Sequence, residues 1–237
     1  GHAYLYEYNA AGWLERIQTP RGITGLVNEY DAEGRVLKQT MPEGSVAEIR
    51  YDDRGMRTYL QETDGSMTCY ESDEKCRNIR TIYEDGEERF EYNDRNLRTL
   101  YVDKNGNQTR YSYDDKGNLT GITNALGEKS AFTYDREGRL LTASAGGSVL
   151  ARNRYDGTGR LTETGDGLGR TRKTAYDGKG LPEQLTLPDG SSIRIRRDGR
   201  GNVASVTDPY GGETSYAYDG LNRVVSSTDA EGNTTSY

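Results

Sequence analysis

The feature that most constrains this chain is a tyrosine-centred position that keeps returning. Tyr8, Tyr30, Tyr51, Tyr92, Tyr113, Tyr134, Tyr155, Tyr176 and Tyr218 fall in one register, and Ser72 and Arg197 fill the two remaining slots. The spacings are 22, 21, 21 and 20, then 21 six times. A fixed period along a chain means stacked copies of one supersecondary unit, none able to bury a core alone. The fold question therefore reduces to what about 21 residues do.

The slot after the tyrosine is stricter. It reads Asn9, Asp31, Asp52, Asp73, Asn93, Asp114, Asp135, Asp156, Asp177, Asp198 and Asp219. Three residues further stand Gly12, Gly34, Gly55, Gly117, Gly138, Gly159, Gly180 and Gly201, with Cys76, Asn96 and Asn222 in the other copies. Asp or Asn at the first position and Gly at the fourth specify a type I turn closed by a left-handed residue. Asn is the best replacement for Gly there, and Cys76 is a poor one. A second series of glycines, Gly22 through Gly232, marks another turn about fourteen residues after each tyrosine slot. Each unit then holds two turns and two short strands, and consecutive units form an antiparallel meander.

Strand patterning agrees in part. Tyr6, Tyr70, Phe90, Tyr111, Phe132 and Tyr216 precede the tyrosine slot by two residues, which puts both side chains on one sheet face. After the turn come Leu14, Val36, Leu119, Leu140, Leu161, Val203 and Val224. Three residues later come Ile17, Leu60, Ile122, Leu185 and Val206. An offset of three breaks strict alternation, and a bulge would restore one face. The expected fold is all-β. It is a single array over residues 1–237 of about eleven tandem antiparallel β-hairpin repeats. They form a curled, solenoid-like ribbon on the order of 100 Å long.

Composition matters for what it excludes. Only 32% of residues are hydrophobic and the mean hydropathy is −0.95, values usually met in disordered chains. Yet 19 Tyr and 30 Gly against 5 Pro suit strands joined by tight turns. The net charge of −7 is interspersed, which disfavours nucleic acid or an anionic membrane as partner. No apolar run approaches the roughly 18 to 20 residues of a membrane-spanning helix. Two cysteines, Cys69 and Cys76, exclude a disulfide framework and cannot complete a zinc site. His2 is the only histidine and reads as a residual tag, so a histidine-based triad is not expected. Asp103-Lys-Asn-Gly-Asn lacks the ligand pattern of a calcium loop and reads as a turn. No catalytic, cofactor or metal residue is expected. The positions that matter are structural: the nine tyrosines, with Asp31, Asp114, Asp135, Gly34, Gly117 and Gly138 representing the turn.

The segments Tyr113-Asp-Asp-Lys-Gly-Asn-Leu-Thr, Tyr134-Asp-Arg-Glu-Gly-Arg-Leu-Leu and Tyr155-Asp-Gly-Thr-Gly-Arg-Leu-Thr resemble the YD repeats of Rhs proteins. Similar repeats occur in shell subunits of insecticidal toxin complexes, in wall-associated bacterial proteins and in teneurins. The resemblance implies a spiralling sheet around a hollow chamber, which in bacterial members holds a C-terminal toxin. It implies as partners the remainder of a parent shell and its enclosed C-terminal domain, with a secreted or cell-surface location. The chain reads as a fragment of such a protein: the family's core region, with its aspartyl self-cleavage site and toxin, does not follow. Asp208-Pro209-Tyr210-Gly211 resembles an element of that core, but its register is that of an ordinary second turn. The alternative is a surface adhesion or carbohydrate-binding module whose exposed tyrosine rows stack on glycans. Open strand edges also predict edge-to-edge self-association of the fragment.

Overall fold

The computed structural model describes residues 3–237; Gly1 and His2 lie outside the described residues. Every regular element among them is a strand. In chain order these are β1 (Leu5–Tyr8), β2 (Leu14–Gln18), β3 (Thr24–Tyr30), β4 (Val36–Thr40), β5 (Val46–Asp52), β6 (Arg57–Gln61), β7 (Met67–Ser72), β8 (Asn78–Tyr83), β9 (Gly86–Tyr92), β10 (Arg98–Val102) and β11 (Gln108–Tyr113). Then follow β12 (Leu119–Thr123), β13 (Lys129–Tyr134), β14 (Leu140–Ala145), β15 (Ser148–Tyr155), β16 (Leu161–Asp166), β17 (Thr171–Tyr176), β18 (Pro182–Thr186), β19 (Ser192–Arg197), β20 (Val203–Thr207), β21 (Glu213–Tyr218), β22 (Val224–Thr228) and β23 (Thr234–Ser236). The architecture is the expected all-β hairpin array.

The strands belong to two compact units. One extends to Ser112 and includes Asn124–Leu126; the other comprises Tyr113–Thr123 and Gly127–Tyr237. Within the first, β1 to β11 pair antiparallel in chain order, as β1 with β2, β2 with β3 and β9 with β10. Within the second, β12 to β23 do the same, from β12 with β13 to β22 with β23.

The hairpin β13–β14 shows the rule. The Asp135 amide donates to the Arg139 carbonyl at 3.0 Å, and the Gly138 amide to the Asp135 carbonyl at 3.1 Å. Thr133 faces Thr142 but Tyr134 faces Leu140, so Leu141 is a bulge residue. The same shift recurs beside Tyr8, Tyr30, Ser72, Tyr155, Tyr176, Arg197 and Tyr218. This resolves the offset of three. Leu14 lies opposite Tyr8 and Ile17 opposite Tyr6, while Val203 lies opposite Arg197 and Val206 opposite Ile195. The bulge returns both apolar columns to the tyrosine face.

Register also explains the irregular spacings. The 22-residue step contains an extra bulge at Gly25, because Ile17 faces Leu26 while Gln18 faces Thr24. The 20-residue step uses a shorter second loop, with Tyr83 facing Gly86. One first turn departs from the rule. Asp52 faces Arg57 directly, without a bulge, and the left-handed residue is Met56 (φ 49°) rather than Gly55. There the Asp52 carboxylate accepts from the Gly55 amide instead.

Burial follows the pleat. In β13, Ser130, Phe132 and Tyr134 are half-buried while Lys129, Ala131 and Thr133 are exposed. The only buried apolar residues of the described chain are Cys69 and Leu100. With so little core, the sheet depends on ladder hydrogen bonds and on cross-strand pairs and ladders.

Candidate functional site

The site this sequence specifies is the junction between successive repeats. Its first part is the tyrosine hydroxyl. It donates backwards, to the carbonyl of the residue that opens the preceding repeat's second strand. Tyr30 reaches Leu14 at 2.5 Å, Tyr51 reaches Val36 at 2.9 Å and Tyr92 reaches Asn78 at 2.9 Å. In the second unit Tyr134 reaches Leu119 at 2.8 Å, Tyr155 Leu140 at 3.0 Å, Tyr176 Leu161 at 2.8 Å and Tyr218 Val203 at 3.0 Å. Leu14, Val36, Asn78, Leu140, Leu161 and Val203 are each paired with their own repeat's tyrosine slot at the bulge, where the ladder is disrupted. Tyr8, in the first strand, is 60% exposed, and Tyr113 is half-buried at the end of β11.

The second part is the turn carboxylate. Asp135 Oδ1 accepts from the Glu137 amide at 3.0 Å and the Arg139 amide at 2.9 Å. Asp31 does so with Glu33 and Arg35, and Asp114 with Lys116 and Asn118. Oδ2 is left for a side chain four residues on. The Nε of Arg35, Arg139, Arg160 and Arg223 lies 2.6–2.7 Å from it in its own turn, and Asn118 Nδ2 lies at 2.8 Å.

The third part joins the other two. The guanidinium held by the turn lies over the tyrosine ring of the next repeat. Arg35 is 4.4 Å from the Tyr51 ring centre, Arg77 5.0 Å from Tyr92, Arg139 4.8 Å from Tyr155 and Arg160 4.8 Å from Tyr176. Such contacts contribute about 0.5–1 kcal/mol at exposed sites. Trp13 fills the same slot in the first copy and packs against Tyr30 with ring centres 5.4 Å apart. Four joints thus run Asp to Arg to the next Tyr.

This path explains the glycine slot twice over. Gly34 and Gly159 have φ of +85° and +91°, where L side chains are strained. A Cβ would also lie 2.7 Å from the Trp13 ring at Gly34, and 2.7 Å from Arg139 Nη1 at Gly159. Gly138 (φ +82°) leaves room for Asn118. Gly117 shares the left-handed conformation, with φ 91°. Where Asn replaces Gly, its amide bonds the same neighbour. Asn96 Oδ1 accepts from Arg77 at 3.0 Å, and Asn222 Oδ1 from Asn202 at 3.0 Å. Cys76 also adopts a left-handed φ of 57°; its thiol is exposed, Cys69 is buried, and both are free.

The electrostatics follow. The Arg77 guanidinium and amide hold the Asp73 carboxyl below its ordinary range despite burial. Burial pushes Asp135 up, but the Arg139 amide and guanidinium together outweigh it and leave it lowered. Burial raises the Tyr51 and Tyr134 hydroxyls. On the tyrosine face of the first unit, Glu88 accepts from Tyr101 at 2.5 Å and from Tyr83 at 3.1 Å. The Glu88 bond, with burial, pushes Tyr101 up to about 12.

The arginine slot was not anticipated from the sequence, though its signal is there. Arg35, Arg77, Arg139, Arg160 and Arg223 directly follow the turn-closing residue, and Asn118 and Asn202 replace Arg in the same place. Among the described residues no three His, Cys, Asp or Glu gather in a way that could hold a metal ion. Among the described residues no helix is long and apolar enough to cross a membrane.

This geometry agrees with what the chain resembles. A family model described as the RHS repeat matches residues 92–129, and one described as the teneurin YD-shell matches residues 129–237. Together the two models match residues 92–237, whose repeats are of the YD (Rhs) type. The crystal structure of TcdB2-TccC3 without its hypervariable C-terminal region aligns with a TM-score of 0.68 at 17% identity, over 95% of this chain and 14% of that one. TcdB2-TccC3-TEV gives 0.66 at 17% identity over 94% and 14%, and TcdB2-TccC3-Cdc42 gives 0.61 at 16% over 95% and 15%. At such identity the likeness is one of fold, and the chain spans about a seventh of the length of these relatives. No curated protein sequence matches it.

Proposed function

We propose that this chain is a non-catalytic stretch of a YD-repeat shell wall whose parent protein encloses a C-terminal polypeptide. The observation that carries the reading is the repeated joint, in which the tyrosine hydroxyl bonds the preceding repeat and, at four joints, an Asp-held arginine covers the next tyrosine ring. Such a joint serves wall-building: it consumes the conspicuous polar and aromatic groups in holding strands together. The hypervariable C-terminal region of TcdB2-TccC3, a solved relative in fold, supports a cargo at the end of the parent chain. By the same likeness the parent acts outside the cytoplasm, and the partner of this stretch is the rest of the shell.

The joint also weighs against glycan binding by the tyrosines. The rings of Tyr51, Tyr92, Tyr155 and Tyr176 each have a guanidinium over one face and a hydroxyl bonded to a carbonyl. The test is limited proteolysis of the full-length parent. Enclosure predicts that its C-terminal polypeptide resists a protease that digests the same polypeptide expressed alone. Equal digestion rates would overturn the reading. Saturable binding on a glycan array, lost in Tyr→Ala variants, would favour the adhesion alternative.

A further inference from the structure

The face opposite the tyrosines in the second unit carries a repeat-phased set of cations. Arg152, Lys173 and Arg194 each stand three residues before the tyrosine slot, in three consecutive copies. They lie on β15, β17 and β19, two strands apart, so about 9.6 Å separates successive members. Arg154 and Arg196 extend the set along β15 and β19. All five side chains are exposed.

Their neighbours are mostly short. Arg152 faces Thr142 and Gly165, Lys173 faces Glu163 and Thr186, and Arg194 faces Gln184 and Thr207. The short residues leave hollows beside the cations. One of about 420 Å³ is lined by Arg152, Arg154, Glu163, Gly165 and Thr171. Another of about 720 Å³ is lined by Gln184, Arg194, Arg196, Ser205 and Thr207.

The five cations have three carboxylates among them that are not taken up in turns, Glu163, Glu183 and Glu213; Asp166, beside the smaller hollow, accepts turn amides and pairs with Arg170. Glu163 is shared between Arg154 at 3.9 Å and Lys173 at 3.8 Å, and Glu213 lies 3.6 Å from Arg196. Glu183 borders the larger hollow. Asp177 and Asp198 border it too, but accept amide bonds within their own turns. Among the described residues Arg152 and Arg194 have no ion-pair partner within 4.0 Å. This excess lies in a chain of net charge −7.

We infer that this face of β15–β19 is a docking surface for an acidic, extended polypeptide segment. An extended peptide in the polyproline II conformation rises about 3.1 Å per residue with three residues per turn, so every third side chain points the same way at about the interval between column cations. Charge complementarity supplies the attraction, and the hydroxyls and amides of Thr142, Gln184, Thr186 and Thr207 supply hydrogen-bonding groups between the charges. The opposed strand residues include no aromatic side chain on which nucleic-acid bases could stack, and the interspersed glutamates oppose a uniformly charged polyanion. The inference rests on this face alone and not on the enclosure reading.

The test is fluorescence anisotropy of the 237-residue chain with a labelled peptide in which glutamate recurs at every third residue and serine fills the positions between. Binding should be saturable and weaken with salt. The triple variant Arg152→Ser, Lys173→Ser, Arg194→Ser should bind at least tenfold more weakly while keeping the wild-type far-ultraviolet spectrum. Arg136→Ser, on an exposed turn, should bind as wild type. Absence of binding, or equal binding by the triple variant, would overturn the inference. So would tighter binding of a DNA oligonucleotide with the same sensitivity to the triple substitution, which would mark a general polyanion surface.

Discussion

Arg197 donates through Nη1 to the Pro182 carbonyl at 2.7 Å. It occupies a tyrosine slot, and the acceptor is the one that a tyrosine hydroxyl takes in neighbouring copies: Tyr176 bonds Leu161 and Tyr218 bonds Val203. What the array keeps is the hydrogen bond into the bulge, and Tyr is its commonest donor.

Substitution at this bond should separate donor from ring. Tyr134→Phe keeps the ring and removes the donor, and should cost about 1 kcal/mol. Arg197→Tyr should hold stability near wild type, while Arg197→Ala lowers it. Chemical denaturation followed by circular dichroism checks the order; a Tyr134→Phe variant as stable as wild type would show that water satisfies the carbonyl equally well.

Acid should weaken the chain through its turns. Asp31, Asp73, Asp114, Asp135, Asp156 and Asp219 are all held below the ordinary carboxylate range. A group depressed in the folded state contributes stability that is full above its unfolded pKa of about 3.9 and is lost as pH falls through the folded value. The melting temperature should be flat from neutral pH to about 5 and then fall. Asp135→Asn, which keeps an acceptor for the turn amides, should be less damaging than Asp135→Ala.

Alkali should reveal one late tyrosine. Tyr101, bonded to Glu88, is pushed up to about 12 from 10.0. Because the folded value is raised, its contribution is complete below about 10 and is lost as pH rises through about 12. Absorbance at the phenolate band should show a late-ionising component that disappears in Tyr101→Phe and moves to lower pH in Glu88→Gln.

The turn-closing slot should respond to backbone strain. Cys76→Gly relieves a left-handed non-glycine residue and should stabilise by up to about 1 kcal/mol. Gly159→Ala should cost more than the usual 1–2 kcal/mol of left-handed strain, because its Cβ also meets Arg139. Equal effects of Gly159→Ala and Gly12→Ala, which meets nothing within 4 Å, would remove the close-approach argument.

Local chemistry made much of this fold legible. Asp and Gly at fixed offsets announce a turn whatever surrounds it, so turns and strands could be read directly. The bulge could be inferred from columns three apart, because only an unpaired residue brings Leu14 and Ile17 to one face. The arginine slot was harder to read, since a residue's role across a repeat boundary depends on register between non-adjacent segments. Gly55 misled for a related reason. Its copy has the right residues at the right offset, but Asp52 pairs with Arg57 and moves the left-handed position to Met56. The basic set at Arg152, Lys173 and Arg194 is period-locked in sequence, yet it becomes visible as a face only once pairing is known.

The glycine that makes room for a neighbour's arginine has a consequence for how such arrays grow. A copy such as that of Tyr155 carries half of two joints, the carboxylate and arginine (Asp156, Arg160) for the copy ahead and the tyrosine and glycine (Tyr155, Gly159) for the copy behind. Duplicating a whole period of 21 residues supplies both missing halves at once, wherever the breakpoints fall. Inserting a partial period leaves an arginine facing a residue with a Cβ and a carbonyl without its donor. Lengthening by unequal crossover is therefore compatible with the fold only in integral steps, and the chain's near-constant spacing has the form such a filter would leave.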